Sequence, residues 1–289
     1  MISIENEYVK AVFSAKGAEL QSFKSKETDT EYLWNGNPQY WGKFSPVLFP
    51  IVGGLKDNTY FVNGQKYKLP RHGFARDREF KADQVSTTTV IFTLTHDEDT
   101  LKVYPFKFSL ALHYKIEGKS LSCTYHVVNT DHKDTLLFSV GGHPAFATPV
   151  DPELAYDDYF LEFNKDIELV YHKIDSDLIT DETDTIKLEE HVLRLNHKLF
   201  YEDALVFKTL KSDRITLRNR KNPHGLHFNF DSFPFFGIWA AKDADFVCLE
   251  PWCGIADGTN HDQDLETKEG IIGLQAGENW ERSWSVSCF

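Results

Sequence analysis

The sequence predicts an all-β sandwich, and three observations carry that prediction. Helical periodicity never persists beyond about ten residues, whereas short apolar/polar alternations recur along the chain. Aromatic residues are abundant (23 Phe, 12 Tyr and 6 Trp) while Met occurs once, a balance that suits pleated, half-buried surfaces. Turn signals punctuate the strands at close spacing, and no linker composition or internal repeat divides the 289 residues. One domain spanning 1–289 is the expectation.

Residues 2–23 read as two strands around Lys16-Gly17-Ala18. Pro46 and Pro50 bracket an apolar stretch, which makes it loop or edge rather than central strand. Thr59–Val62 and Gln65–Leu69 flank Asn63-Gly64, a hairpin signal with a defined turn chemistry. Residues 79–95 and 106–128 alternate well, with turns at Asp97–Asp99 and Glu117-Gly118. Leu136–Val140 continues as a strand into G-G-H-P-A-F (141–146). Strands follow near Phe160–Phe163 and Glu168–Tyr171, and Asp175–Leu195 is an acidic excursion. Leu205–Leu210, Arg214–Leu217, Gly225–Phe230 and Phe236–Ala240 are short, closely spaced strands. The stretch Phe246–Asp257 begins as a buried strand and ends in a glycine-rich loop, with Gly270–Leu274 and Arg282–Val286 closing the chain.

Charge and composition exclude several classes. A net charge of −13 without a Lys/Arg stripe argues against nucleic acid as a partner. No apolar run approaches a membrane span, and the opening residues lack an apolar secretory core, so no membrane partner and a cytosolic location are expected. The four cysteines have no C-x-x-C spacing and imply no disulfide scaffold. The twelve histidines are scattered, so no metal site is expected, and no Walker, G-x-S-x-G or G-x-G-x-x-G motif occurs.

The chemistry concentrates at strand ends and loops. Glu250 ends an apolar run beside Pro251 and Trp252, where burial would raise its pKa and suit it to proton transfer. A solvated or lysine-paired strand end is the competing reading. His143 follows two glycines, which would allow a tight turn and close ligand approach, and precedes Pro144; an imidazole held there can donate a proton near neutrality. His72 lies in R-H-G-F-A-R, where arginines on both sides would keep it neutral, and Arg71 and Arg76 could clamp hydroxyls or an anion. Lys56, Asp57 and Asp203 read first as solvated turn charges. With Phe74, Trp239 and Trp252 as aromatic faces, such a site suits a sugar, whose C–H faces stack and whose hydroxyls need mixed donors and acceptors.

R-H-G-F-A-R (71–76), G-G-H-P-A-F (141–146), C-L-E-P-W-C-G-I-A-D (248–257) and the final W-x-x-S-W-x-V together resemble the aldose 1-epimerase (galactose mutarotase) family, in its LacX-like branch, over nearly the whole chain. The resemblance implies a galactose-mutarotase-like β-sandwich, or supersandwich, without cofactor or metal. It implies Glu250 as the base that takes the C1 hydroxyl proton and His143 as the acid at the ring oxygen, facing a galactose- or glucose-like aldose from opposite sides. It implies His72 near the ring oxygen and Asp203 on sugar hydroxyls. Where the family places an arginine after P-x-V-G, this chain has Gly54, for which Lys56 or Arg71 would substitute. Two other readings compete. One is a non-catalytic sugar-binding or sensing protein, motivated by Gly54. The other is a glycosidase pairing Glu250 with Asp257 or Asp203.

Overall fold

Alternating burial along the strands resolves into two stacked antiparallel sheets in the computed structural model, which describes residues 1–289. The larger sheet has nine strands. It runs from Val192–Arg194 through Tyr159–Phe163, Arg214–Asn219, Gly225–Asn229, Asn279–Cys288, Ser120–Asn129, Phe108–Glu117 and Thr89–Thr95 to Lys81–Ser86. The eight-stranded sheet runs from Leu178–Lys187 through Glu168–Asp175, Leu205–Phe207, Phe235–Trp239, Phe246–Cys253 and Val140–Gly142 to Val47–Leu48, with Ala145–Ala147 also paired to Phe246–Cys253.

Inward-facing aromatics fill the space between the sheets. Phe228 of the nine-stranded sheet meets Phe146 and Phe236 of the other at ring separations of 5.7 and 6.2 Å. Trp284 Nε1 donates to the Tyr125 hydroxyl at 2.8 Å, so this buried indole is not left unpaired. A three-stranded N-terminal sheet (Ile2–Glu5, Val9–Ser14, Glu19–Ser25) sends Phe13 against Phe92 and Tyr114. All four cysteines are free and buried. No helix is long and apolar enough to cross a membrane.

Four expectations are corrected. The first 25 residues form three strands, because a second reversal at Asn6, whose side chain accepts from the Tyr8 and Val9 amides, separates Ile2–Glu5 from Val9–Ser14. The turn at Asp97–Asp99 is the start of a six-residue helix, Glu98–Val103, capped by reciprocal bonds between Asp97 and Thr100. Gly141 and Gly142 lie in an extended strand rather than a tight turn. Their missing side chains serve packing: a Cβ at Gly141 would meet Trp252 Cδ1 at 2.7 Å, and one at Gly142 the Tyr125 hydroxyl at 2.6 Å. Finally, the acidic excursion after Asp175 is ordered. Leu178–Lys187 returns along Glu168–Asp175 as a long hairpin at the sheet edge.

Candidate active site

Phe246–Cys253 is buried on both faces along its whole length. Side-chain alternation sends Val247 and Leu249 into the inter-sheet core and leaves Phe246, Cys248, Glu250 and Trp252 on the opposite face. That outer face is covered by loops carrying Trp41, Gly53, Arg71, His72 and Arg76, and by the hairpin tip near Asp177. The result is a cavity of about 190 Å³ with Glu250, His143, Trp239 and Trp252 in its wall. A second, smaller apolar cluster forms the rest of that wall. Val206, Ile179, Trp252 and Ala256 belong to it, and Ile174 and Ala204 pack against it.

At the base of the cavity His143 Nε2 lies 3.2 Å from Glu250 Oε2. Glu250 is only 2% exposed. Burial pushes its carboxyl well above the ordinary range, with nearby Asp203 acting in the same direction and Arg71 and the Trp252 indole N–H opposing. Trp41 stacks on His143 with centroids 5.0 Å apart, and the Trp239 ring stands edge-on at 5.7 Å. Burial, reinforced by Arg71, pushes the imidazole down to about 3. Both shifts favour the uncharged forms, a protonated carboxyl beside a neutral imidazole, and the two groups titrate as a pair. His143 and Glu250 stand side by side in the cavity wall.

His72 is fixed from behind. Its backbone N–H donates to the Gly53 carbonyl at 2.9 Å, and its Nδ1 accepts from the Gly53 N–H at 3.1 Å. Burial, and then Arg71, hold this histidine well below its ordinary pKa, in agreement with the neutral form expected from its arginine neighbours. Its backbone sits at φ 67°, a conformation that a side chain adopts at a cost, and Gly73 beside it approaches the Phe49 carbonyl too closely for a Cβ. The Arg71 Nε–H donates to His72 Nε2 at 3.2 Å, so an N–H donor faces each ring nitrogen, and a neutral ring with one proton keeps only one of these two bonds.

The structure brings together Glu250, His143, His72, Arg71, Arg76 and Trp252, together with Trp239. It does not bring Lys56 or Asp203 to the cavity wall. Lys56 reaches out to the His261 carbonyl, and its backbone N–H is held by Asp257. The Asp203 carboxylate caps its own neighbour's N–H at Ala204, although its charge is felt at Glu250. Phe74 packs in the core against Phe49, Tyr104 and Phe108. Asp257 is committed to a buried ion pair with Lys268. Sequence reasoning missed Trp41 and Asp177, which sit in an apparent loop and in the supposed excursion.

Three buried polar atoms around the cavity have no protein hydrogen-bond partner: His143 Nδ1, Trp252 Nε1 and Arg76 Nε. Each such atom costs about 1–3 kcal/mol while it lacks a partner. Cys248 Sγ joins His143 and Glu250 with ligand atoms within 4.8 Å of one another, a set able to hold a metal ion, with the thiol kept protonated by burial and by Glu250.

The two-sheet sandwich is matched by solved structures with the galactose-mutarotase-like fold. The family model for aldose 1-epimerase matches residues 1–285, and the chain belongs to that family. It is 32% identical to the plasmid-borne protein LacX of Lactococcus lactis over 99% of this chain and 98% of that protein. A galactose mutarotase related enzyme from Lactobacillus acidophilus superposes with a TM-score of 0.94 at 35% identity, covering 100% of this chain and 97% of that one. A putative glucose-6-phosphate 1-epimerase of Escherichia coli K12 matches a shorter stretch, at 32% identity over 42% of this chain and 40% of that protein.

Proposed function

We propose that the protein is an aldose 1-epimerase that interconverts the α and β anomers of a free aldohexose. The observation that carries this reading is the His143–Glu250 pair, 3.2 Å apart in the wall of a cavity lined by Trp41, Trp239 and Trp252. In the exchange, the pair reacts from the form with its one proton on His143, and the Glu250 carboxylate takes the proton from the C1 hydroxyl. The O–H electron pair forms the C1 carbonyl, and the C1–ring-oxygen pair leaves to the ring oxygen. That oxygen takes the proton from His143 Nε2. Both oxygens are bonded to C1, so an acid and base side by side can serve both. Rotation about C1–C2 and the reverse proton transfers reclose the ring on the other face. The protein returns to its starting protonation state, and no cofactor is consumed.

Positioned acid–base groups contribute about 10²–10⁴-fold each way, which suits a reaction that already proceeds slowly in water. Trp252, Trp239 and Trp41 give apolar faces for the C–H surface of the sugar, and His72 and Arg71 lie in the same wall. The glycosidase reading loses its second carboxylate, because Asp257 is tied to Lys268 and Asp203 stands off the wall. The test is saturation transfer by NMR between the anomeric protons of galactose and of glucose. Protein-dependent transfer supports the reading. Binding without transfer selects the sensing protein, and release of a reducing end from simple glycosides selects the glycosidase.

A further inference from the structure

We infer that Asp177 restricts the cavity to uncharged aldoses and excludes their phosphate esters. This rests on the sugar reading of the same cavity and adds its substrate class. Asp177 lies at the tip of the hairpin formed by Glu168–Asp175 and Leu178–Lys187, where Asp175 pairs with Leu178 and only Ser176 and Asp177 form the loop. Both loop residues are left-handed, at φ 52° and 71°. Two-residue turns of this kind favour Asn and Gly, so an aspartate here keeps a side chain where a glycine would be less strained.

The tip fills the space beside Gly54. A Cβ at Gly54 would lie 2.9 Å from the Asp177 carbonyl oxygen and 3.0 Å from its Cβ, so the position that holds an arginine in the resembled pattern has no room for one here. Asp177 Oδ1 also accepts from Arg71 Nη1 at 2.5 Å, while Arg71 Nε faces His72. Arg76 turns its Nη2 to the Arg71 carbonyl at 2.9 Å, with the Asp77 carboxylate 3.8 Å from its Nε. Neither arginine offers the free planar fork that a phosphate needs. A phosphate dianion would have to displace Asp177 from Arg71 and then lie beside it, whereas a hydroxyl can donate to the same carboxylate.

The experiment compares glucose with glucose 6-phosphate by competition binding, read by ligand-observed NMR, on the wild-type chain and on Asp177→Asn and Asp177→Gly. The glycine variant removes the left-handed strain, so its thermal unfolding at or above the wild-type temperature verifies an intact hairpin. The wild type is expected to hold the ester at least tenfold more weakly than the hexose. Both variants should narrow that ratio at least tenfold, through tighter ester binding. A wild type that takes the ester as tightly as the hexose overturns the inference, and so does a ratio that stays within twofold in both variants. Anomer exchange on the same samples separates the two readings. The expected ratios without exchange remove the epimerase and leave Asp177's role. Exchange with unchanged ratios removes Asp177's role alone, and no binding of either sugar removes both.

Discussion

Replacing Lys268 with Met should unfold the protein at a temperature about 5 °C lower. Lys268 Nζ donates to Asp257 Oδ1 at 2.7 Å, and neither side chain is exposed to solvent. Removing one member of a buried pair leaves the other charge uncompensated and costs about 3–5 kcal/mol. Asp257 keeps the Lys56 N–H at 2.9 Å, which places the loss near the lower end, about 3 kcal/mol. An unfolding entropy of about 2.1 cal/mol/K per residue over 289 residues gives about 0.6 kcal/mol/K, hence the shift of about 5 °C. The Asp257→Asn/Lys268→Met double variant buries no charge and should recover all but about 1 kcal/mol. Sugar affinity should fall in the single variant as well. The Asp257 backbone bonds Gly54 and Ile179, so the pair ties the loop and the hairpin to the end of the Glu250 strand. Thermal unfolding at neutral pH with parallel sugar titration is the assay. A single variant within about 1 °C of wild type, or a double variant less stable than the single, would refute the reasoning.

Three further outcomes follow from the site. Glu250→Gln should stabilise the protein by about 1–2 kcal/mol at high pH, an active-site trade-off. The folded-state pKa of Glu250 is raised above 4.5, so its contribution is fully present below 4.5 and is lost as pH rises through the folded value. The advantage of the variant should therefore grow with pH, and unfolding curves with a constant gap would contradict this. The pH profile of kcat/KM should show no acid limb between about pH 5 and 6.5. Addition of a second proton to the pair is governed by His143, which is pushed down to about 3, and a limb centred at 6.5 would contradict the stated environment of that imidazole. Gly237→Ala places a Cβ 2.6 Å from Trp252 Cη2 and should drive the indole into the cavity, costing about 1–3 kcal/mol of stability and lowering sugar affinity, checked by unfolding and titration.

How far the sequence reveals this protein depends on what each segment buries. Thr89–Thr95, Phe108–Glu117 and Ser120–Asn129 each put one face into the core, and their alternation is plain. Glu250 is legible for a related reason: a carboxylate closing an apolar run has few solvated places to go. Leu178–Lys187 is an edge strand exposed along most of its length, so it carries no apolar alternation and reads as an excursion. Its tip, Asp177, was hidden with it. Trp41 sits in a loop whose course is set by distant contacts with Phe246 and His143. Lys56 and Asp203 lie close to cavity residues in sequence, but side-chain direction in a loop depends on hydrogen bonds to remote partners such as His261. Three of the family motifs, 71–76, 141–146 and 248–257, converge on the cavity wall.

The central claim is that the His143–Glu250 pair drives ring opening by proton transfer. It is tested most directly by saturation transfer between the anomeric protons of the preferred aldose, using wild type, Glu250→Gln and His143→Asn at equal sugar occupancy. The account predicts rapid exchange with the wild type and a loss of at least about 100-fold in each variant with binding retained. Exchange at the wild-type rate in either variant would contradict it.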